Sequence, residues 1–162
     1  MREILFRGQT RRKGERVRLD GTPVDSNWVY GGVLQGKGDF SIIYQTEPEI
    51  EKRTVYTDTL GQYTGLTDKN GNKIFEGDIV RYTFDSPTDP MATENGLIER
   101  VGKVFWSDWR SSFAVSVGRS GSNNDLARYC RGRQIYEYVR GANTVEVIGN
   151  IFDNPELLES GD

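Results

Sequence analysis

Between Leu60 and Val80 the chain reads Leu60-Gly-Gln-Tyr-Thr-Gly-Leu66, Thr67-Asp-Lys-Asn-Gly-Asn-Lys-Ile74 and Phe75-Glu-Gly-Asp-Ile-Val80, and no other stretch constrains its fold as much. Gly61 and Gly65 punctuate the first run. Asn70-Gly71 marks a hairpin tip, because this pair accepts the left-handed backbone that a tight reversal requires. Gly77-Asp78 then opens an apolar strand. A glycine is needed there if φ is positive, and Asp78 is expected to anchor the turn by accepting nearby backbone N–H groups rather than to act as an acid. Reversals this closely spaced suit short strands and leave no room for a long helix.

The same pattern of short apolar runs bounded by Gly, Asn and Pro continues on both sides, and 19 glycines among them point to an all-β chain. In the first part, Glu3–Arg7, Asn27–Gly31, Phe40–Tyr44 and Thr54–Thr57 read as strands. Arg11 to Gly21 reads as a basic loop or wide hairpin, Gly36 to Asp39 as a turn, and Glu47 to Arg53 as a charged, exposed segment. Residues 1–58 are therefore expected to form a small antiparallel sheet of about four strands. Residues 59–162 form the second part. There Asp78 to Phe84 alternates, with Ile79 and Arg81 on one face and Val80, Tyr82 and Phe84 on the other. Asp85 to Gly96, with Pro87 and Pro90, is expected to be an exposed, mobile loop. Leu97 to Trp106 and Ser112 to Val117 read as a hairpin, and Arg119 to Asp125 as a further mobile loop. Arg133 to Val139 alternates, and Thr144 to Ile148 is a strong strand signal. Asn154 is a good helix cap and Pro155 a good first helical residue, so a short helical turn closes the chain. The opening at Gly77, a strand, a long loop and a hairpin suit a small barrel of strongly bent strands.

Two absences narrow the chemistry. The 162 residues include no histidine, which removes the commonest general base and zinc ligand. The single cysteine, Cys130, forms no intrachain disulfide or thiolate site and reads as a structural or incidental thiol. No phosphate-cradling or dinucleotide-binding glycine motif is present, and no cofactor or metal is expected. Asp68-Lys-Asn-Gly-Asn72 begins like a calcium loop but lacks the closing glutamate, so a hairpin turn is the favoured reading. Glu76 with Asp78 and Asp153 with Glu156 are read as turn, cap and surface residues. A net charge of −3 and a pI near 5.2 do not advertise nucleic acid or an anionic membrane. Met1 to Arg7 carries no signal-peptide core, no run spans a bilayer, and a soluble cytoplasmic protein is expected.

The motifs resemble those of the YopX family of phage and prophage proteins. The likeness is carried by Arg2-Glu-Ile-Leu-Phe-Arg-Gly8, Trp28-Val-Tyr-Gly31, Gly61-Gln-Tyr-Thr-Gly-Leu66 through Glu76-Gly-Asp-Ile-Val80, Val145-Glu-Val-Ile-Gly-Asn150 and Asn154-Pro-Glu-Leu157. It runs in order along the whole chain. It implies a β fold with an SH3-like barrel, a phage or prophage origin, and a homo-oligomer. It supplies no catalytic or binding residue.

One cluster carries candidate binding chemistry. Arg128, Tyr129, Arg131 and Arg133, followed by Tyr136, Tyr138 and Arg140, set arginines beside stackable rings. Single-stranded nucleic-acid binders use that pairing, and the basic run of Arg7, Arg11, Arg12, Lys13, Arg16 and Arg18 could extend it. Protein interfaces are rich in the same residues. The reading favoured is a non-enzymatic phage or prophage accessory protein that binds a phage or host protein and self-associates. A nucleic-acid-binding accessory protein is the alternative.

Overall fold

A computed structural model describes residues 3–85, 92, 94, 96–108, 111–116, 133–134 and 144–159, with the backbone alone at 84, 85, 133 and 134. The chain divides into two compact units, Met1–Gly65 and Leu66–Asp162. Both are built from antiparallel strands, so the chain is all-β, as its glycine-punctuated runs require.

The first unit holds β1 (Phe6–Arg11), β2 (Asn27–Leu34), β3 (Phe40–Gln45) and β4 (Glu51–Tyr56), with β5 (Gly61–Thr67) running across the boundary. Their order is β4-β3-β2-β1-β5, and β6 (Lys73–Phe75) pairs with β5 as the sixth strand of the sheet. β1 begins and ends later than the apolar run Ile4-Leu-Phe6 suggests. The strand continues through polar residues because these find partners: Gln9 is 1% exposed, and its N–H donates to Thr59 Oγ1 at 2.9 Å. β4 likewise extends back through the charged, exposed Glu51, Lys52 and Arg53. β2 passes straight through Gly31 and Gly32. A Cβ on Gly31 would lie 2.1 Å from the Tyr44 carbonyl oxygen, and one on Gly32 would lie 2.4 Å from the Tyr44 ring. These glycines let β3 approach; they do not turn the chain. Ile43, Val55 and Tyr63 are buried in this unit. Between β1 and β2, Asp20 accepts the Thr22 hydroxyl at 2.6 Å and its N–H at 2.9 Å, bonds that hold its carboxyl below the usual range.

In the second unit the turn after β5 leads to β6 (Lys73–Phe75). Beyond it come β7 (Asp78–Asp85), β8 (Leu97–Ser107), β9 (Ser112–Val115), β10 (Arg133–Gln134) and β11 (Val145–Asn150). They form a five-stranded sheet in the order β10-β9-β8-β7-β11. Its terminal strands do not pair among the described residues, so the expected barrel is open rather than closed. Ile74, Val80, Tyr82, Val104, Phe113, Val115 and Val145 make the core of this unit. The alternation read from the sequence holds in β7, where Val80 and Tyr82 are buried and Arg81 exposed, although Ile79 is buried too.

The turn chemistry follows the sequence closely. Gly65, Gly71 and Gly77 have φ of 87°, 83° and 88°. Asp78, 1% exposed, accepts the Phe75 N–H at 2.7 Å, the anchoring role expected of it. Gly61 and Gly65 both lie within β5 rather than at a turn, Gly65 with its positive φ inside the strand. The chain ends in α1 (Glu156–Glu159), with Leu158 buried. Asn154 precedes it, but its side-chain oxygen accepts the Asn150 N–H at 3.3 Å, while its carbonyl accepts Leu157 N–H at 3.1 Å. The two loops expected at 85–96 and 119–125 fall mostly or wholly outside the described residues, as does Cys130.

Candidate binding surface

The residues Arg128, Tyr129, Arg131, Tyr136, Tyr138 and Arg140 lie outside the described residues, and of Arg133 only its backbone in β10 is described. The structure therefore neither assembles nor disperses that cluster. It does place much of the basic run that was to extend it. Arg7 is 7% exposed, with its guanidinium 4.7 Å from the Trp28 ring centre. Arg11 Nε donates to the Asp25 carbonyl at 3.0 Å, and Arg18 donates to the Pro23 carbonyl at 3.0 Å. Arg12 is paired with Asp58. Arg11 and Arg18 brace the β1–β2 connection, Arg7 packs on β2 and Arg12 ties to the corner after β4, so these four do not make a row of free cations for phosphates. Local sequence shows the charges, but it could not show that their partners lie up to 46 positions away.

A different surface emerges from strand register. In an antiparallel pair, residues directly opposite one another share a face. Tyr44 lies opposite Gly32 and Lys52, Ile42 opposite Leu34 and Thr54, and Phe40 opposite Tyr56. Alternation along β2 adds Tyr30 to the same side. This side of β2–β4 is the outer one: Ser41, Ile43 and Val55, on the other, are buried. Phe40 and Leu34 are each 55% exposed and Tyr30 is 40% exposed, while Ile42, Tyr44 and Tyr56 are half-buried.

At one end of this face is an open recess of about 390 Å³. Arg12, Asp39, Phe40, Tyr56, Thr57 and Asp58 line it, together with Gly38. Its rings are set by the register: Phe40 and Tyr56, paired across β3 and β4, have ring centres 5.4 Å apart at a tilt of 35°. The corner that follows β4 is fixed from several sides. Thr57 N–H donates to the Asp39 carbonyl at 2.8 Å, and the Ser41 and Thr57 hydroxyls lie 2.8 Å apart. Thr59, fully buried, donates to the Tyr56 carbonyl at 2.7 Å while accepting Gln9 N–H.

The charges are arranged around Tyr56. The Arg12 guanidinium lies 4.1 Å from the ring centre, and one of its nitrogens donates to both Asp58 oxygens at 2.8 and 3.0 Å. Glu15 Oε2 accepts the Arg12 N–H at 2.8 Å and the Tyr56 hydroxyl at 3.0 Å. The Arg12 N–H is the main reason the Glu15 carboxyl sits below its ordinary pKa. The same carboxylate, accepting the phenol proton, holds Tyr56 above its own. The arrangement can bind: it offers a half-exposed ring and ionised carboxylates on a braced corner.

Of the carboxylates singled out in the sequence, Asp68, Asp78 and Asp153 serve turns. Asp68 Oδ1 accepts the Asn70 and Asn72 N–H groups at 2.9 Å each, and Oδ2 accepts Val147 N–H at 2.9 Å and Asn72 Nδ2 at 3.3 Å. That is an Asn-Gly hairpin turn held by its first residue, in agreement with the favoured reading of Asp68 to Asn72. Asp153 Oδ2 accepts Asn150 Nδ2 at 3.1 Å.

Comparison with known proteins places this architecture. The profile of the family described as "YopX protein" matches residues 27–159, from the start of β2 to the end of α1. The chain belongs to the YopX family. The resemblance carried by its motifs from Trp28 onward is therefore confirmed. No curated protein matches this YopX-family chain. Among solved structures it is similar to protein EF1440 from Enterococcus faecalis, at 21% identity and a TM-score of 0.44, over 98% of this chain and 99% of that one. No helix among the described residues is long and apolar enough to cross a membrane.

Proposed function

We propose that this YopX-family protein is a non-catalytic binding module, an accessory protein of phage or prophage type that works in the cytoplasm and self-associates. The observation that carries the reading is the outer face of β2–β4, which leaves Tyr30, Leu34 and Phe40 in solvent on a braced sheet. Exposed rings and aliphatic side chains on one rigid face are the usual makings of a protein interface. The buried carboxylates Asp68 and Asp78 accept backbone N–H groups, and the sequence offers no histidine to work beside them. The phage character rests on the family resemblance.

The test is cross-linking of the purified protein in extracts of infected or lysogenic cells, with Leu34→Ser/Phe40→Ala as the comparison. A partner held by the wild type and lost by the variant supports the reading. A partner held equally by both, or turnover of a substrate by the purified protein, would overturn it.

Self-association is expected through this face more than through the sheet edges. The sequence offers Ile4-Leu-Phe6 and Val145-Glu-Val-Ile148 as edges in need of partners. The far edge of β11 is already occupied, because Val145 O accepts Lys69 N–H at 2.9 Å and Val147 N–H goes to Asp68. Light scattering at micromolar concentration should give a mass well above the 18.4 kDa of one chain. A clean monomer over that range would remove self-association from the proposal.

A further inference from the structure

We infer that the recess at the Phe40–Tyr56 end of the outer face receives a cationic side chain, arginine or lysine, from a basic segment of a partner protein. This rests on the binding-module reading and adds the chemistry of the partner's contact.

Three observations meet at the recess. Its exposed wall is aromatic: Phe40 is 55% exposed, and the neighbouring Tyr56 ring already carries Arg12 against it. The π-face of such a ring attracts a cation placed within about 6 Å of its centre. Arg12 shows the chemistry in place, with its guanidinium on Tyr56 and its charge on Asp58.

The second observation is charge. Two carboxylates, Asp39 and Asp58, line the recess against the single guanidinium of Arg12, while Glu15, which accepts the Arg12 N–H and lies within the influence of Arg16, stands outside the lining. Arg12 answers Asp58, and Glu15 accepts the Tyr56 hydroxyl. The Asp39 carboxylate makes no ion pair or hydrogen bond among the described residues, although its own backbone carbonyl is bonded to Thr57. It stands beside the exposed Phe40 ring as an unanswered negative charge. Lys13, Arg16 and Lys37 are near in sequence but do not line the recess.

The third is rigidity. Phe40 and Tyr56 are fixed by strand register, and Asp39 and Thr57 by the bond between them. A site ordered before binding loses little freedom when the ligand arrives. A phosphate would meet the two carboxylates of Asp39 and Asp58 here, whereas an ammonium or guanidinium finds a ring and a free acid. The surface therefore favours a basic peptide over a nucleic acid.

The probe is a hexapeptide of alternating arginine and glycine, titrated at low salt and followed by amide chemical shifts and by fluorescence anisotropy. An otherwise identical glutamate peptide and an oligothymidylate are the comparisons. Shifts are expected at Asp39, Phe40, Tyr56 and Thr57, and added salt should weaken the binding. Asp39→Asn, which preserves shape, and Phe40→Ala, at a half-exposed position, should each weaken it by about fivefold. Lys52→Ala, opposite Tyr44 on the same face, should leave it intact or improve it slightly. The inference is overturned if Asp39→Asn binds as well as the wild type, if the shifts fall elsewhere, or if the glutamate peptide or oligothymidylate binds as tightly. If the arginine peptide fails to bind while cross-linking still depends on Leu34 and Phe40, this inference falls and the binding-module reading stands.

Discussion

Replacing Asp68 with alanine is expected to destabilise the second unit by about 3 kcal/mol, because one carboxylate there closes a turn and also holds a distant strand. Asp68 is 6% exposed, and its two oxygens accept four hydrogen bonds. Three come from the turn between β5 and β6. The fourth comes from Val147, 79 positions away in β11. Alanine removes all four acceptors at once and leaves the Val147 N–H without a partner. Asp68→Asn keeps the shape but gives up the charge and one acceptor oxygen, so it should lose roughly half as much. Denaturant titration would give the size of the change, and amide exchange at Val147 and Asn72 would show where it falls. Unchanged protection at Val147 in Asp68→Ala would contradict this account.

The same carboxylate gives a pH dependence of defined sign. Burial alone would raise the Asp68 pKa, but the N–H groups of Val147, Asn72 and Asn70, with the Asn72 side chain, more than reverse this and hold it below the ordinary 3.8. The unfolded chain therefore binds the proton more readily than the folded one. The stabilisation is complete above about pH 5 and is lost as pH falls through 3.8 towards the lower folded value. Asp20 and Glu15 are also held low, but both are exposed, so the difference between wild type and Asp68→Asn isolates Asp68. That difference should shrink as the pH is lowered from neutral into this window. A constant difference would mean that the charge contributes nothing.

What the sequence revealed and what it hid follow from the range of each interaction. Asn70-Gly71 and Gly77-Asp78 are short-range devices, complete within a few residues, and each forms where its letters place it; the closing helical turn also follows Asn154-Pro155, although the Asn154 side chain accepts the Asn150 N–H rather than capping it. Strand limits were less legible wherever a polar residue is buried by a distant partner. β1 runs through Gln9 because Thr59, 50 positions on, receives its N–H. Asp68 looked like a turn residue and is one, yet its grip on β11 has no local signal. The recess was hidden for the same reason. Phe40 and Tyr56 face each other only because the β3–β4 hairpin pairs them, and Arg12 arrives from another strand's end. A signal was available in principle. Setting Phe40–Gln45 against Glu51–Tyr56 as a hairpin places the two rings opposite each other, and strand alternation then separates the outer face from Ile43 and Val55. The basic run misled in the opposite direction, since a count of arginines cannot show that Arg7, Arg11, Arg12 and Arg18 are already engaged.

Gly102→Ala should be nearly as damaging, at about 3 kcal/mol, although it adds a single methyl group. Gly102 lies in β8, where it pairs with Val80 of β7, and on its other side β9 runs into Ser116. A Cβ at this position would lie 2.3 Å from the Ser116 carbonyl oxygen and 3.0 Å from Val115 Cγ1. Neither neighbour can yield easily. Ser116 is held by its N–H to the Lys103 carbonyl at 3.0 Å and by its hydroxyl, which accepts Lys103 N–H at 2.9 Å. Its carbonyl accepts the hydroxyl of Tyr82, a core side chain only 1% exposed, at 3.2 Å. To admit the methyl, the Ser116 carbonyl must move, and Tyr82 then loses the acceptor for a buried hydroxyl. The cost is therefore steric and polar together. This account makes a prediction that simple overpacking does not. In the wild type, Tyr82→Phe should cost about 1 kcal/mol by leaving the Ser116 carbonyl without its donor. In the Gly102→Ala background the bond is already broken, so the same change should cost almost nothing. A double-mutant cycle measures that coupling directly. Additive effects would show that the Tyr82 hydroxyl does not register the methyl group, and a Gly102→Ala variant as stable as the wild type would refute the close approach itself.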